Sequence, residues 1–280
     1  MLGGFYTVED ADGARYETRA RGNFRKRGLK PVVGDFVSFE NDYILEILPR
    51  ENQLMRPSVA NIDQAVIVMS TVAPDFSLNL LDRFLAFLEF RKIQPLIYLT
   101  KLDLVAADRF LQIQKDYEKI GYQVFTDSSA LTENLSGKVT VFMGQTGVGK
   151  TTLLNKIAPE MLLETGETSE KLGRGRHTTR HVELYHVANG LVADTPGFSS
   201  LDYEIKTQSD LNRCFIDIYE LSAGCRFREC SHTHEPDCSV KQAAADGELL
   251  PSRYENYLQL LSEIENRRET YVKRRKTEEK

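Results

Sequence analysis

The sequence predicts a multidomain α/β protein, with a small all-β unit first, a central α/β unit next and a helical, cysteine-rich unit last. Three observations carry that prediction. Short alternating runs broken by turn residues fill the N-terminal part. From about residue 62 onward, buried-strand runs alternate with helix-period segments. Three of the four cysteines, Cys225, Cys230 and Cys238, crowd into the C-terminal part. The expected boundaries are 1–61, 62–207 and 208–280.

Of the 280 residues, 41% are hydrophobic and 28% charged, which is enough apolar matter for packed cores and excludes general disorder. No apolar run approaches the roughly 18–20 residues that span a bilayer, and the N-terminus MLGGFYTVEDADG carries no signal-peptide pattern. A soluble, cytoplasmic protein with no membrane partner is expected. The net charge of −5 argues weakly against nucleic acid. The average hides local structure, however, because basic side chains concentrate at 19–30, 171–180 and 267–280.

In the first unit, Phe36–Phe39 and Tyr43–Ile47 read as strands separated by turns at Gly28, Gly34-Asp35 and Asn41-Asp42, which suggests a small barrel. Arg19, Arg21, Arg25, Lys26, Arg27 and Lys30 make the stretch between its strands basic. Two readings stand: a solvated loop, or the RNA-holding loop of an oligonucleotide-binding barrel.

In the second unit, strands are expected at Gln64–Ser70, Pro95–Leu99, Tyr122–Phe125 and Val139–Met143, with helices at Leu80–Lys92 and Asp108–Ile120. This rhythm implies a mostly parallel sheet covered by helices on both faces. Val182–Val187 and Leu191–Ala193 read as a hairpin across Asn189-Gly190. The third unit is expected to be helical over Ser209–Leu221, irregular to Cys238, and helical again from Ser252 into a basic tail.

Gly144-Gln145-Thr146-Gly147-Val148-Gly149-Lys150-Thr151 fits G-x-x-x-x-G-K-[ST] in full, directly after the apolar strand and before a helix. Its glycines let successive N–H groups aim at phosphate oxygens, and the helix N-terminus adds partial positive charge. Lys150 is expected on the β- and γ-phosphates and Thr151 on Mg²⁺, with Thr152 also at the nucleotide. The chain is thus expected to bind a nucleoside triphosphate.

Asp194-Thr195-Pro196-Gly197 supplies a D-x-x-G element, with Asp194 in the Mg²⁺ shell and the Gly197 N–H sensing the γ-phosphate. Thr100-Lys101-Leu102-Asp103 is similar to the guanine-reading N-K-x-D of GTPases. Asp103 can accept from both the ring N–H and the amine of guanine, a donor pair that adenine lacks. Thr stands where Asn is usual, which leaves the bracing of that loop open. Ser128-Ser129-Ala130 resembles the S-A-x element, so Ser129 and Ala130 are expected at the base. Ordinary GTPases run from phosphate loop to D-x-x-G to N-K-x-D. Here TKLD and SSA come first, then the phosphate loop, His177-Thr178-Thr179 and DTPG, the same cycle cut elsewhere. The central unit is similar to circularly permuted GTPases.

A permuted GTPase core, a β-barrel before it and a cysteine cluster after it resemble the RsgA (YjeQ) family of ribosome small subunit-dependent GTPases across essentially the whole chain. The resemblance rests on GQTGVGKT at 144–151, GRGRHTTR at 173–180, DTPGF at 194–198 and the cluster Cys225-x4-Cys230-x-His232-x5-Cys238. It implies an N-terminal OB-fold that binds RNA, a permuted P-loop GTPase domain and a C-terminal helical zinc domain. It further implies GTP and GDP as ligands, the small (30S) ribosomal subunit and its rRNA as partners, and a role in late subunit maturation. A monomer is expected. Three thiolates and one imidazole suit one closed, tetrahedral, structural Zn²⁺. Cys225, Cys230, His232 and Cys238 match the family's motif, with His234 as competing ligand, and Cys214 reads as a buried thiol.

Phe198 follows the D-x-x-G, where Ras-like enzymes place a water-orienting Gln. His177 is then the internal group expected to position the attacking water; contact with RNA is its other reading, because Arg174, Arg176, Arg180 and His181 surround it. Thr178 or Thr179 is expected to close on Mg²⁺. Two other functions compete: a P-loop ATPase or kinase with accidental TKLD and SSA elements, and a non-enzymatic RNA-binding scaffold with structural GTP.

Overall fold

The computed structural model describes residues 4–22, 24, 28–55, 57–159, 182–193 and 204–278, the last with side chains as far as 267. Strand β1 (Phe5–Glu9), β2 (Arg15–Ala20), β3 (Val37–Glu40) and β4 (Tyr43–Ile47) form a sheet in the order β1-β2-β4-β3. β2 and β4 run parallel, while the outer pairs are antiparallel. Their inner face buries Thr18 and Ile44, and the Thr18 hydroxyl donates to the Tyr6 carbonyl at 3.0 Å. A hairpin of β5 (Gln53–Met55) and β6 (Ser58–Ala60) joins this region through a bridge from Val33 to Val59. Asp35 pins the connecting segment, accepting from Arg50 Nε at 2.6 Å and from the Val32 N–H at 2.8 Å. Within the basic stretch, Arg25, Lys26 and Arg27 lie outside the described residues.

The central sheet contains β7 (Gln64–Ser70), β8 (Gln94–Thr100), β9 (Gln123–Phe125), β10 (Val139–Met143), β11 (Leu184–Val187) and β12 (Gly190–Ala193), in the order β11-β12-β10-β7-β8-β9. β8 pairs parallel with β9, and β10 with β12; β11 is an antiparallel edge. By contact density the protein divides into two compact units. One contains β1 to β6, most of β10, β11 and β12; the other contains most of β7, β8, β9 and the helices from residue 204 onward.

Helix α1 (Leu78–Phe90) begins two residues before the expected Leu80, because the Ser77 hydroxyl caps it by accepting from the Leu80 N–H at 3.2 Å. α2 (Ala107–Ile120) begins one residue before the expected Asp108 and ends at Gly121 in the left-handed conformation. The hairpin turn differs from expectation. Ala188 and Asn189 are its two left-handed central residues, with φ of 50° and 60°, and Gly190 already opens β12. Gly190 serves close packing instead, since a Cβ there would lie 1.9 Å from the Leu135 carbonyl oxygen.

The expected helix over Ser209–Leu221 is two helices, α5 (Gln208–Cys214) and α6 (Ile216–Ser222), broken at Phe215. The break directs a fully buried Phe215 edge-on against Tyr257, with centroids 5.6 Å apart, and beneath the Arg253 guanidinium at 4.5 Å. α7 (Ser239–Asp246), which the sequence reading missed, follows the cysteine cluster, and α8 (Pro251–Glu278) ends the described chain. Arg253 of α8 is fully buried and bridges Asp82 of α1 at 2.8 Å and Asp217 of α6 at 2.7 Å. Asp82 also accepts from Tyr117 at 2.8 Å and Asn256 at 2.6 Å, so the buried charges are hydrogen-bonded as well as paired. No helix among the described residues is long and apolar enough to cross a membrane.

Candidate nucleotide site and metal centre

The phosphate loop leaves β10 at Met143 and enters α4 (Lys150–Ile157). Gly144, at φ 151°, passes so close to β7 that a Cβ would lie 2.4 Å from the Val68 carbonyl oxygen. Gly147 and Gly149 have φ of 83° and 95°, the left-handed region that curls backbone N–H groups inward. Val148 is buried and anchors the loop, while Gln145, Thr146 and Gly147 are exposed at its rim. Lys150 and Thr151 are half-buried in the first turn of α4, and Thr152 is exposed. This glycine cradle opening onto a helix N-terminus fits a polyphosphate.

The TKLD segment is tied to that loop. Thr100 ends β8, and its hydroxyl donates to the Val148 carbonyl oxygen at 2.6 Å. The bracing left open by Thr in place of Asn is therefore made by the threonine hydroxyl. Lys101 adopts the left-handed conformation, with φ 57°, and its ammonium donates to the Gly147 carbonyl at 2.9 Å and to that of Ala73. Asp103 follows in a single 3-10 turn, Leu102–Leu104, with its carboxylate exposed. Ser129 and Ala130 are exposed in the first turn of α3 (Ser128–Glu133), directly after β9. His177, Thr178, Thr179, Asp194, Gly197 and Phe198 lie outside the described residues.

The second cluster is complete. Cys225, Cys230, His232 and Cys238 bring their ligand atoms within 4.8 Å of one another. The Sγ atoms of Cys225 and Cys238 are 3.8 Å apart, and His232 Nδ1 lies 3.7 and 3.4 Å from them. A tetrahedron with metal–sulfur bonds of 2.3 Å and metal–nitrogen bonds of 2.0–2.1 Å has edges of about 3.5–3.8 Å, so the donor set fits zinc. Burial lowers the His232 pKa, favouring the neutral imidazole that metals take, and pushes the Cys230 thiol up to about 12. A divalent cation bound there would supply the missing stabilisation of the thiolates. His234 is exposed, its Nδ1 2.8 Å from the Thr233 hydroxyl, and is not part of the cluster. Cys214 is buried and donates to the Asp210 carbonyl at 3.0 Å, with its thiol pushed up to about 12 by burial.

Sequence reasoning missed the groups that hold this loop. Gln208 donates to the Cys230 carbonyl at 2.7 Å, Tyr254 to the His232 carbonyl at 2.6 Å, and Glu235 accepts from the Ser231 and Thr233 N–H groups at 2.7 and 3.1 Å. Only the S-x-x-x-E spacing of Ser231 and Glu235 lies within a local window of sequence; the others come from distant helices.

The family model described as RsgA GTPase matches residues 47–204, and the one described as RsgA N-terminal domain matches residues 1–44. The chain belongs to the RsgA GTPase family. Its RsgA relatives include the small ribosomal subunit biogenesis GTPase RsgA of Lactococcus lactis subsp. lactis, 62% identical over 98% of this chain and 96% of that protein. The protein of the same name from Streptococcus mutans is 59% identical over 97% and 96%. Among solved structures, the circularly permuted GTPase YloQ matches with a TM-score of 0.81 at 44% identity, over 95% of this chain and 93% of that one. YjeQ from Thermotoga maritima matches with a TM-score of 0.81 at 32% identity, over 94% and 95%. The RsgA core is therefore a circularly permuted GTPase fold, as the order of the motifs implies.

Proposed function

We propose that this RsgA-family GTPase binds the small ribosomal subunit and hydrolyses GTP to GDP and phosphate during late subunit maturation. The observation that supports the GTP site best is the Thr100–Val148 hydrogen bond, which makes the base-reading turn and the phosphate loop one braced element. In this reading Asp103 accepts from guanine, Thr100 and Lys101 hold the turn, and Ser129 and Ala130 pack at the base. Gly144, Gln145, Thr146, Gly147, Val148 and Gly149 wrap the phosphates with their backbone, while Lys150 neutralises developing charge. Thr151 and Asp194 hold Mg²⁺, Thr152 lies beside the phosphates, Thr178 and Thr179 close over the ion, and the Gly197 N–H senses the γ-phosphate. His177 positions the attacking water in place of the usual Gln.

Cys225, Cys230, His232 and Cys238 hold one structural zinc, which stabilises a loop with little apolar core of its own. Three domains follow from this reading: an RNA-binding β-barrel at 1–61, the permuted GTPase at 62–207 and the zinc domain with its basic helix at 208–280. The rRNA of the small subunit is the nucleic-acid partner, met by the basic stretches, and the protein acts as a cytoplasmic monomer. The names of its relatives, small ribosomal subunit biogenesis GTPases, support the ribosomal assignment. Phosphate release from GTP, measured with and without purified small subunits, tests the proposal. Strong stimulation is expected, and equal rates with and without subunits would remove the ribosomal role. Excess ATP is expected not to compete for labelled GTP, because adenine offers Asp103 no donor pair.

A further inference from the structure

We propose that Asn212 and Tyr257 are positioning residues for the metal centre, fixing His232 so that Nδ1 faces the ion and Nε2 carries the proton. The inference rests on reading the Cys225, Cys230, His232 and Cys238 cluster as a zinc site. The imidazole is already turned this way. Nδ1 lies 3.7 and 3.4 Å from the Sγ atoms of Cys225 and Cys238, and Nε2 lies 3.3 Å from the Asn212 amide group on α5.

A ring nitrogen that gives its lone pair to a cation leaves the other nitrogen protonated, and that N–H needs an acceptor. Asn212 is the side chain placed to supply one. As placed, its nitrogen faces Nε2, and its oxygen accepts from the Tyr257 hydroxyl. With metal on Nδ1, that geometry would set two donors against each other. Turning the amide over removes the conflict along the whole chain of groups. Asn212 Oδ1 accepts from His232 Nε2–H, Asn212 Nδ2 donates to the Tyr257 oxygen, and the Tyr257 proton goes to the Ser231 carbonyl, 3.2 Å away. The Cys230 carbonyl, which gives up Asn212 at 3.4 Å, keeps Gln208 at 2.7 Å. No polar group is orphaned, which matters because Tyr257 is fully buried and held edge-on by Phe215. Tyr254 completes the clamp through the His232 carbonyl, at a residue whose φ is 61°.

The test is zinc affinity of the purified full chain by competition with a chromophoric chelator, together with ¹⁵N shifts of the His232 ring. Asn212→Leu, which keeps volume and removes the acceptor, is expected to weaken zinc binding about 10–100-fold. Asn212→Asp keeps an acceptor and is expected to stay within about threefold of the parent. Tyr257→Phe, which removes the acceptor that holds the turned amide, is expected to lie between them. The ring shifts should report a protonated Nε2. Zinc binding by Asn212→Leu as tight as the parent's, or metal on Nε2, overturns the inference while leaving the zinc site standing. A parent chain without stoichiometric zinc overturns both. If Asn212→Leu yields no folded protein, the order parent, Asn212→Asp, Tyr257→Phe decides, and equal affinities overturn the proposal.

Discussion

The Thr100 hydroxyl donates to the Val148 carbonyl oxygen at 2.6 Å, joining the end of β8 to the middle of the phosphate loop. Val148 is buried, so losing this donor leaves an acceptor without its partner. Such a loss costs about 1–2 kcal/mol, or about 5–30-fold in affinity. Thr100→Ala is therefore expected to weaken binding of a fluorescent GTP analogue by that factor. Thr100→Ser, which keeps the hydroxyl, is expected to bind like the parent, and equal affinities for all three would remove the brace from the site.

Gly144 and Gly147 separate two roles of glycine in one loop. A Cβ at Gly144 would lie 2.4 Å from the Val68 carbonyl oxygen, whereas one at Gly147 would meet only Pro74 Cδ at 4.0 Å. Gly144→Ala forces the loop off β7, with a strain of about 1–3 kcal/mol. At about 2–4 °C per kcal/mol the melting temperature should fall by about 2–12 °C. Gly147→Ala carries only its backbone strain, and the smaller fall is expected for it in the same calorimetric scan.

Much of this was legible because it is local. The phosphate loop is a fixed spacing of glycines after a strand, and β7 and β10 run over the residues their apolar runs mark out, Gln64–Ser70 and Val139–Met143. The motif order alone implies the permuted core. What failed was decided by tertiary contact. The periodicity of 209–221 is continuous, and the helix breaks at Phe215, whose ring is buried against Tyr257 and Arg253. The Asn-Gly pair at 189–190 is a turn signal, but close approach to Leu135 claims the glycine for the strand. Gln208, Asn212 and Tyr257 reach the cysteine loop from distant helices, and no local pattern could announce them.

Removing the metal should separate the zinc loop from the rest of the fold. One zinc per chain is expected by elemental mass spectrometry, and none in stoichiometric amount for Cys230→Ala. If binding of the metal is coupled to folding of this loop, chelation should lower the melting temperature and expose Cys225, Cys230 and Cys238 to a thiol reagent. Cys214, buried against the Asp210 carbonyl, should stay protected. Simultaneous reaction of all four thiols would mean that the loop and its helices unfold together.

The buried Arg253 gives a prediction of opposite character. Removing one member of a desolvated ion pair leaves an uncompensated charge, at a cost of about 3–5 kcal/mol. Arg253→Met strands both Asp82 and Asp217 and is expected to destabilise the protein by about that amount in chemical denaturation. Asp82→Asn in the same background removes one stranded charge and should recover part of the loss. Additive losses from Arg253→Met and Asp82→Asn would show that the pair is not coupled.

His177 bears on catalysis through chemistry alone, since it lies outside the described residues. Phe198 offers no hydrogen bond to water where Ras-like enzymes have Gln, so another group must orient the nucleophile. The imidazole of His177, within GRGRHTTR, is the group expected to do so, and GTP binding is expected to rest on the phosphate loop and Asp103 instead. His177→Ala is expected to lower subunit-stimulated turnover by about 10²-fold or more, while GTP affinity stays nearly unchanged. His177→Gln, which restores a water ligand, should recover part of the rate. Unaltered stimulated turnover with weaker subunit binding would instead assign His177, with Arg174, Arg176 and Arg180, to contact with RNA.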